Sequence, residues 1–131
     1  MSTEYLHPTV EAVLAIHAEV LAVHGDRSGL ISRELLESAV AAPQATKMGQ
    51  PMLADPMEIA AAYLFYLCSN HAFVDGNKRV ALATCLVFLS ENGFLQEETL
   101  PVDDWENLTL AVAAGALSRD EVTVRLRGLV G

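Results

Sequence analysis

Apolar positions recur at helical spacing along almost the whole chain. Val10, Val13, Leu14, Ile16, Val20 and Leu21 give a broad apolar face to a first helix, with Pro8 suited to its first turn and Gly25 to its stop. Ser32 reads as the N-cap of a short helix with Leu35, Leu36, Ala39 and Val40 inside, ended by Pro43. The periodicity fails from Gln44 to Ala54, where Gly49, Gln50 and Pro51 predict a loop or a small hairpin. Asp55-Pro56-Met57-Glu58 then gives a cap, a first-position proline and an early acid. Ile59, Tyr63, Tyr66 and Leu67 carry the helix it opens to about Asn70.

Asp75-Gly76 opens the most apolar stretch, which ends near Asn92-Gly93; apolar nearly all round, it is expected at the centre. Asp103 with Glu106 and Ser118 with Glu121 have the spacing of capping boxes, and Gly128 is the expected stop of the last helix. The pattern predicts an all-α fold: about six helices around a buried central one, in a single domain over 1–131.

Composition narrows the class. Hydrophobic residues are 52% and charged residues 19% of 131, so the chain has a core to bury. No apolar run approaches the ~20 residues of a membrane span. The N-terminal MSTEYLHPTVE lacks a basic stretch followed by an apolar one, so a cytoplasmic protein is expected. A net charge of −9 with only 8 Lys and Arg argues against a direct nucleic-acid binder. Cys68 and Cys85 lie in apolar helical stretches without CxxC spacing and read as buried thiols. Cys68 and His71, three apart on one helix, are poorly placed to act as a nucleophile–base pair. His7, His17 and His24 form no HExxH pattern and read as surface or core residues rather than metal ligands.

Against this acidic background, His71 to Arg79, HAFVDGNKR, gathers a base, a carboxylate, a Gly-Asn step and two cations ahead of a helix. A donor-rich loop feeding a helix N-terminus suits phosphate. His71, with an ordinary pKa near ~6.5, is the candidate base for a hydroxyl proton. Asp75 is both a candidate helix cap and a candidate Mg²⁺ holder. Gly76 and Asn77 let backbone N–H groups approach an anion, the Asn77 side chain adds an amide, and Lys78 and Arg79 add charge. Phe73 reads as a core anchor for the loop.

This segment resembles the signature of the Fic/Doc family, HPFx[D/E]GNGRxxR. His71, Phe73, Asp75, Gly76, Asn77 and Arg79 match it. Lys78 replaces the second Gly, and Leu82 stands where the final Arg would be. Both departures resemble the Doc, or death-on-curing, branch, whose version reads close to HxFxDxNKR; LLESAV at 35–40 and the helix before His71 also look like Doc flanks. The resemblance implies a Fic fold and a toxin of a toxin–antitoxin pair. It implies phosphorylation of a protein hydroxyl, on a translation elongation factor, using ATP or another NTP with Mg²⁺. His71 would be the catalytic base, Asp75 the metal holder, and Gly76, Asn77, Lys78 and Arg79 the phosphate ligands.

The resemblance also makes 44–54 the flap that docks the target by strand-like pairing. Ser69 stands where relatives often carry a basic residue. The [S/T]xxxE[G/N] pattern of self-inhibited Fic proteins is missing, so inhibition is expected from a separate antitoxin. Two alternatives stand beside the kinase: transfer of AMP to a protein hydroxyl, which the intact Asp75-Gly76-Asn77 favours, and an inactive module that binds an antitoxin.

Overall fold

The computed structural model describes residues 4–25, 27–95 and 100–131; the first three residues of the N-terminal stretch lie outside them. Helix α1 (Val10–His24) starts one turn-step later than Pro8 because the Thr9 hydroxyl accepts the Ala12 N–H at 3.0 Å. Gly25, at φ 70°, closes it with its N–H on the Leu21 carbonyl. Ser32 caps α2 (Arg33–Ala41) through the Leu35 N–H, and Pro43 falls in a short 3₁₀ turn, Ala42–Gln44. Leu36, Ala39 and Val40 are buried as expected, whereas Leu35 is 40% exposed.

The irregular stretch is a hairpin. Strand β1 (Thr46–Lys47) pairs antiparallel with β2 (Gln50–Pro51), with Lys47 opposite Gln50. Asp55 caps α3 (Pro56–Asn70), accepting the Met57 N–H at 2.8 Å, and its carboxylate also pairs with Arg127 of the last helix.

The central helix is α3, not the one that follows His71. It packs against α2, the 3₁₀ turn, α4 (Asn77–Glu91), α5 (Val102–Ala113) and α6 (Arg119–Val130). Ala60, Ala61 and Ala62 are all fully buried, and their small side chains let neighbours close in on several sides. Helix α4 packs on α1, α3 and α5, burying Val80, Ala81, Thr84, Cys85, Phe88 and Leu89. The Ser118–Glu121 capping box forms. The Asp103–Glu106 box does not: α5 begins at Val102 behind Pro101, which leaves Asp103 in its first turn without a capping bond. Nor does Gly128 stop α6, which continues to Val130.

A strap over residues 5–7 is tied to α3 and to the end of α4. Asn92 holds Leu6 by both backbone groups, at 2.8 and 2.9 Å, and the His7 Nδ1 meets the buried Tyr63 hydroxyl at 2.7 Å. No helix among the described residues is long and apolar enough to cross a membrane.

Candidate active site

The turn between α3 and α4 is built by long-range pairing to the α1–α2 connection. The Ala72 carbonyl accepts the N–H groups of Ile31 (2.7 Å) and Ser32 (3.2 Å), Leu30 bridges Phe73, and the Val74 N–H reaches the Gly29 carbonyl at 3.0 Å. Gly29, at φ 132°, is required there: a Cβ would meet Val74 Cγ2 at 2.9 Å. Asn70 adds a side-chain bond to the Leu35 carbonyl. His71 then ends α3 in the left-handed region, φ 49° and ψ 51°, which turns its side chain out of the helix and leaves it exposed.

Phe73 is buried, as an anchor should be, and the ring of His17 lies flat on it, 3.7 Å between centroids and 15° between planes. Asn77 clamps the turn from the other end. Its Oδ1 accepts the Phe73 N–H at 3.1 Å and its Nδ2 donates to the Phe73 carbonyl at 2.9 Å. The amide expected to reach for phosphate is therefore occupied in shaping the loop, and what Asn77 offers an anion is its backbone N–H.

Asp75 is not the helix cap. Gly76 holds that position, buried, at φ 78° and with no side chain to cap α4. The Asp75 carboxylate is instead pinned on both oxygens, Oδ2 by the Arg27 N–H (3.2 Å) and Oδ1 by the Gly76 N–H (2.9 Å). These two bonds, with the charges of Arg27 and Arg79 behind them, hold its pKa below the ordinary carboxylate value. An ionised, partly exposed carboxylate with lone pairs to spare fits Mg²⁺, which takes one or two carboxylates and fills its remaining positions with phosphate oxygens and water. No cluster of three or more His, Cys, Asp or Glu suited to a metal occurs among the described residues.

Lys78 and Arg79 are exposed on the first turn of α4, whose positive dipole end adds to their charge. Leu82 packs against the core, so no cation stands where the fuller motif has one. The Ser69 hydroxyl bonds back to the Phe65 carbonyl at 2.7 Å. Burial pushes the Cys68 thiol up to about 12, so it is no thiolate beside His71. Among the described residues, a hollow of about 360 Å³ beside Pro101–Asp104 presents the carboxylates of Asp103 and Asp104 and no cation, the wrong sign for a nucleotide.

The structure thus brings His71, Asp75 and Gly76 of the turn together with Asn77, Lys78 and Arg79 of the helical turn it opens. Two residues of the site escaped the sequence reading. Arg27, from the α1–α2 connection, supplies an N–H and a nearby charge to Asp75, and His17, from α1, reaches the Asp75 carbonyl with Nε2 at 2.8 Å. His17 falls on the buried face of α1 with Val13, four residues apart, and that spacing was the only available signal.

The Fic/DOC family model matches residues 7–89, from the strap through most of α4. The chain belongs to the Fic/DOC family. It is 42% identical over 94 residues to "Toxin Doc" of Mycolicibacterium smegmatis, an alignment covering 72% of each protein. It is 30% identical over 125 residues to "Protein kinase doc" of Escherichia phage P1, covering 95% of this chain and 96% of that one. The mostly helical architecture with a two-stranded antiparallel hairpin agrees with the Fic fold. The two Doc relatives agree with the Doc-branch resemblance of the motif.

Proposed function

We propose that this Fic/DOC protein is a Doc-like toxin that moves the terminal phosphoryl group of ATP or another NTP to a protein hydroxyl. The observation that carries the reading is the loop itself: an exposed His71, a pinned Asp75 carboxylate, and Lys78 and Arg79 on the uncapped end of α4. Phosphoryl transfer needs mainly alignment and offset of charge, and the loop offers both. In the step, the target hydroxyl oxygen attacks the γ phosphorus. The new O–P bond forms as the bond from phosphorus to the β–γ bridging oxygen breaks, the nucleoside diphosphate leaves, and the hydroxyl proton passes to the His71 imidazole. Gly76 lets the α4 N-terminus approach the phosphates, and Lys78 and Arg79 offset the charge that moves toward the leaving group. Asp75 would hold Mg²⁺, which when bound neutralises phosphate charge.

Two features favour γ over α transfer. The Lys78 side chain fills space that a second Gly would leave for the α and β phosphates, and Leu82 brings no cation for them. The name of the phage relative, a protein kinase, points the same way. An elongation factor is the proposed target, which the 46–51 hairpin would dock by adding a strand. Exposed Leu30, Ile31 and Val74 flank the loop and suit a protein partner rather than a free metabolite. A separate antitoxin would cover this cytoplasmic enzyme, and a pull-down from native cells recovering no small partner would count against that.

The test is one incubation of the protein with Mg²⁺ and cell extract, run with γ-³²P-ATP and with α-³²P-ATP. Label from the γ position only, lost in His71→Ala, is the expected result. Label from the α position means nucleotidyl transfer, the reading that the Asp75-Gly76-Asn77 match to the wider Fic pattern favours. Nucleotide binding without label from either means a regulatory binding module.

A further inference from the structure

His17 takes no part in the chemistry above, yet it grips the loop at two points. It is 5% exposed, in a helix 58 residues away in sequence from Asp75. A carbonyl oxygen only accepts, so the 2.8 Å contact to the Asp75 carbonyl places the hydrogen on Nε2. The same ring is stacked on Phe73. The carbonyl it holds belongs to the Asp75–Gly76 peptide, and the N–H at the other end of that peptide donates to Asp75 Oδ1. Fixing the peptide plane therefore fixes one of the two bonds that orient the carboxylate.

We propose that His17 is a positioning residue of the transfer reaction: its Nε2–H, held to the Asp75 carbonyl while its ring stacks on Phe73, sets the direction of the Asp75 carboxylate. The inference rests on the reading of Asp75 as the Mg²⁺ holder. Residues that orient a metal ligand from behind typically change metal affinity or activity by 10–100-fold when lost.

The comparison that tests it is His17→Gln against His17→Asn. A Gln amide nitrogen reaches about as far as Nε2, whereas an Asn amide reaches only as far as Nδ1. Both lose the stacked ring, so a purely structural role lowers the melting temperature of both alike. Three quantities are read: melting temperature, the Mg²⁺ concentration giving half-maximal γ-phosphate transfer, and hydrogen exchange at the Gly76 amide. The expected result is that Asn raises the Mg²⁺ requirement on the order of tenfold or more and speeds exchange at Gly76, while Gln stays close to the unsubstituted protein in both. Equal behaviour of the two variants, or losses that only follow the melting temperature, overturns the proposal. If the unsubstituted protein transfers no label, the kinase reading fails by itself, and Gly76 exchange still decides: protected in Gln and fast in Asn supports the positioning role, equal rates refute it. Should His17→Asn not fold, His17→Phe, which keeps a flat ring and loses the donor, takes its place.

Discussion

His71 is held in a backbone conformation that costs an L-residue on the order of 1 kcal/mol, and the surroundings supply the restraint. The Ala72 carbonyl takes two N–H groups immediately after it, and Asn77 closes the turn four residues past Phe73. Asn77→Asp keeps the acceptor for the Phe73 N–H, loses the donor to the Phe73 carbonyl and adds a negative charge beside Asp75. Its expected effect is a loss of about 1–2 kcal/mol in urea unfolding together with weaker nucleotide binding by titration; unchanged binding would mean that the loop charge matters less than its shape. A second residue works in the opposite direction. The Thr84 hydroxyl is fully buried in α4 and has no hydrogen-bond partner among the described residues. A lone buried hydroxyl costs free energy that an isosteric methyl does not. Thr84→Val is therefore expected to stabilise the protein by about 1 kcal/mol, read as a higher urea midpoint at unchanged slope.

Among the elements, those fixed by adjacent residues were legible in the sequence and those fixed by distant ones were not. Asp55-Pro56, Ser32, Gly25 and the Ser118–Glu121 box act within one turn, and each does in the structure what its spacing predicts. The α5 start differs because Pro101, with its fixed φ and no N–H to donate, can begin a helix before Asp103 is reached. Gly128 is tolerated inside α6 because one Gly costs only about 1 kcal/mol in a helix. The centre of the fold was misjudged for a different reason. Apolarity all round α4 signals burial, but the number of helices a segment touches depends on small residues such as Ala60–Ala62, whose neighbours are set by tertiary packing. In the site, the loop motif was legible because its chemistry is contiguous, whereas Arg27 and His17 reach it across 48 and 58 residues.

The hairpin carries an element-scale prediction. Both turn residues have positive φ, Met48 at 53° and Gly49 at 79°, as a two-residue hairpin turn demands, yet Met lacks the short polar side chain that favours this region. Met48→Asn should relieve on the order of 1 kcal/mol of local strain and slow amide exchange at the Lys47–Gln50 pair. Faster exchange would show that the 95%-exposed Met48 contributes to the hairpin through contacts rather than burdening it.

At the scale of the molecule, the strap joins the core to the segment behind the hairpin. The Tyr63 hydroxyl meets His7 of the strap, and the Tyr5 hydroxyl reaches the Ala54 carbonyl just behind the hairpin. Burial lowers the His7 pKa from 6.5 and raises that of Tyr63, so the pair favours its neutral forms at neutral pH. The sign of the pH dependence follows. Between the lowered folded value and about pH 6.5 the unfolded chain binds a proton that folded His7 does not, so stability falls as pH drops through that window and is full above it. The carboxylates with lowered values act in a separate range. Asp55, where burial is outweighed by Arg127 and the Met57 N–H, and Asp75, held by N–H groups, lose their contribution only as pH falls through folded values below the ordinary ~4. Urea unfolding from about pH 5 to 8 should therefore show a slope that His7→Gln removes. Tyr63→Phe should retain that slope, because burial rather than the hydroxyl is what keeps His7 neutral. A slope that survives His7→Gln would assign the proton uptake to another group and detach the strap from the pH response. A slope lost with His7 would instead mean that acidification loosens the strap, and with it the Tyr5 contact behind the hairpin, before Asp75 is protonated.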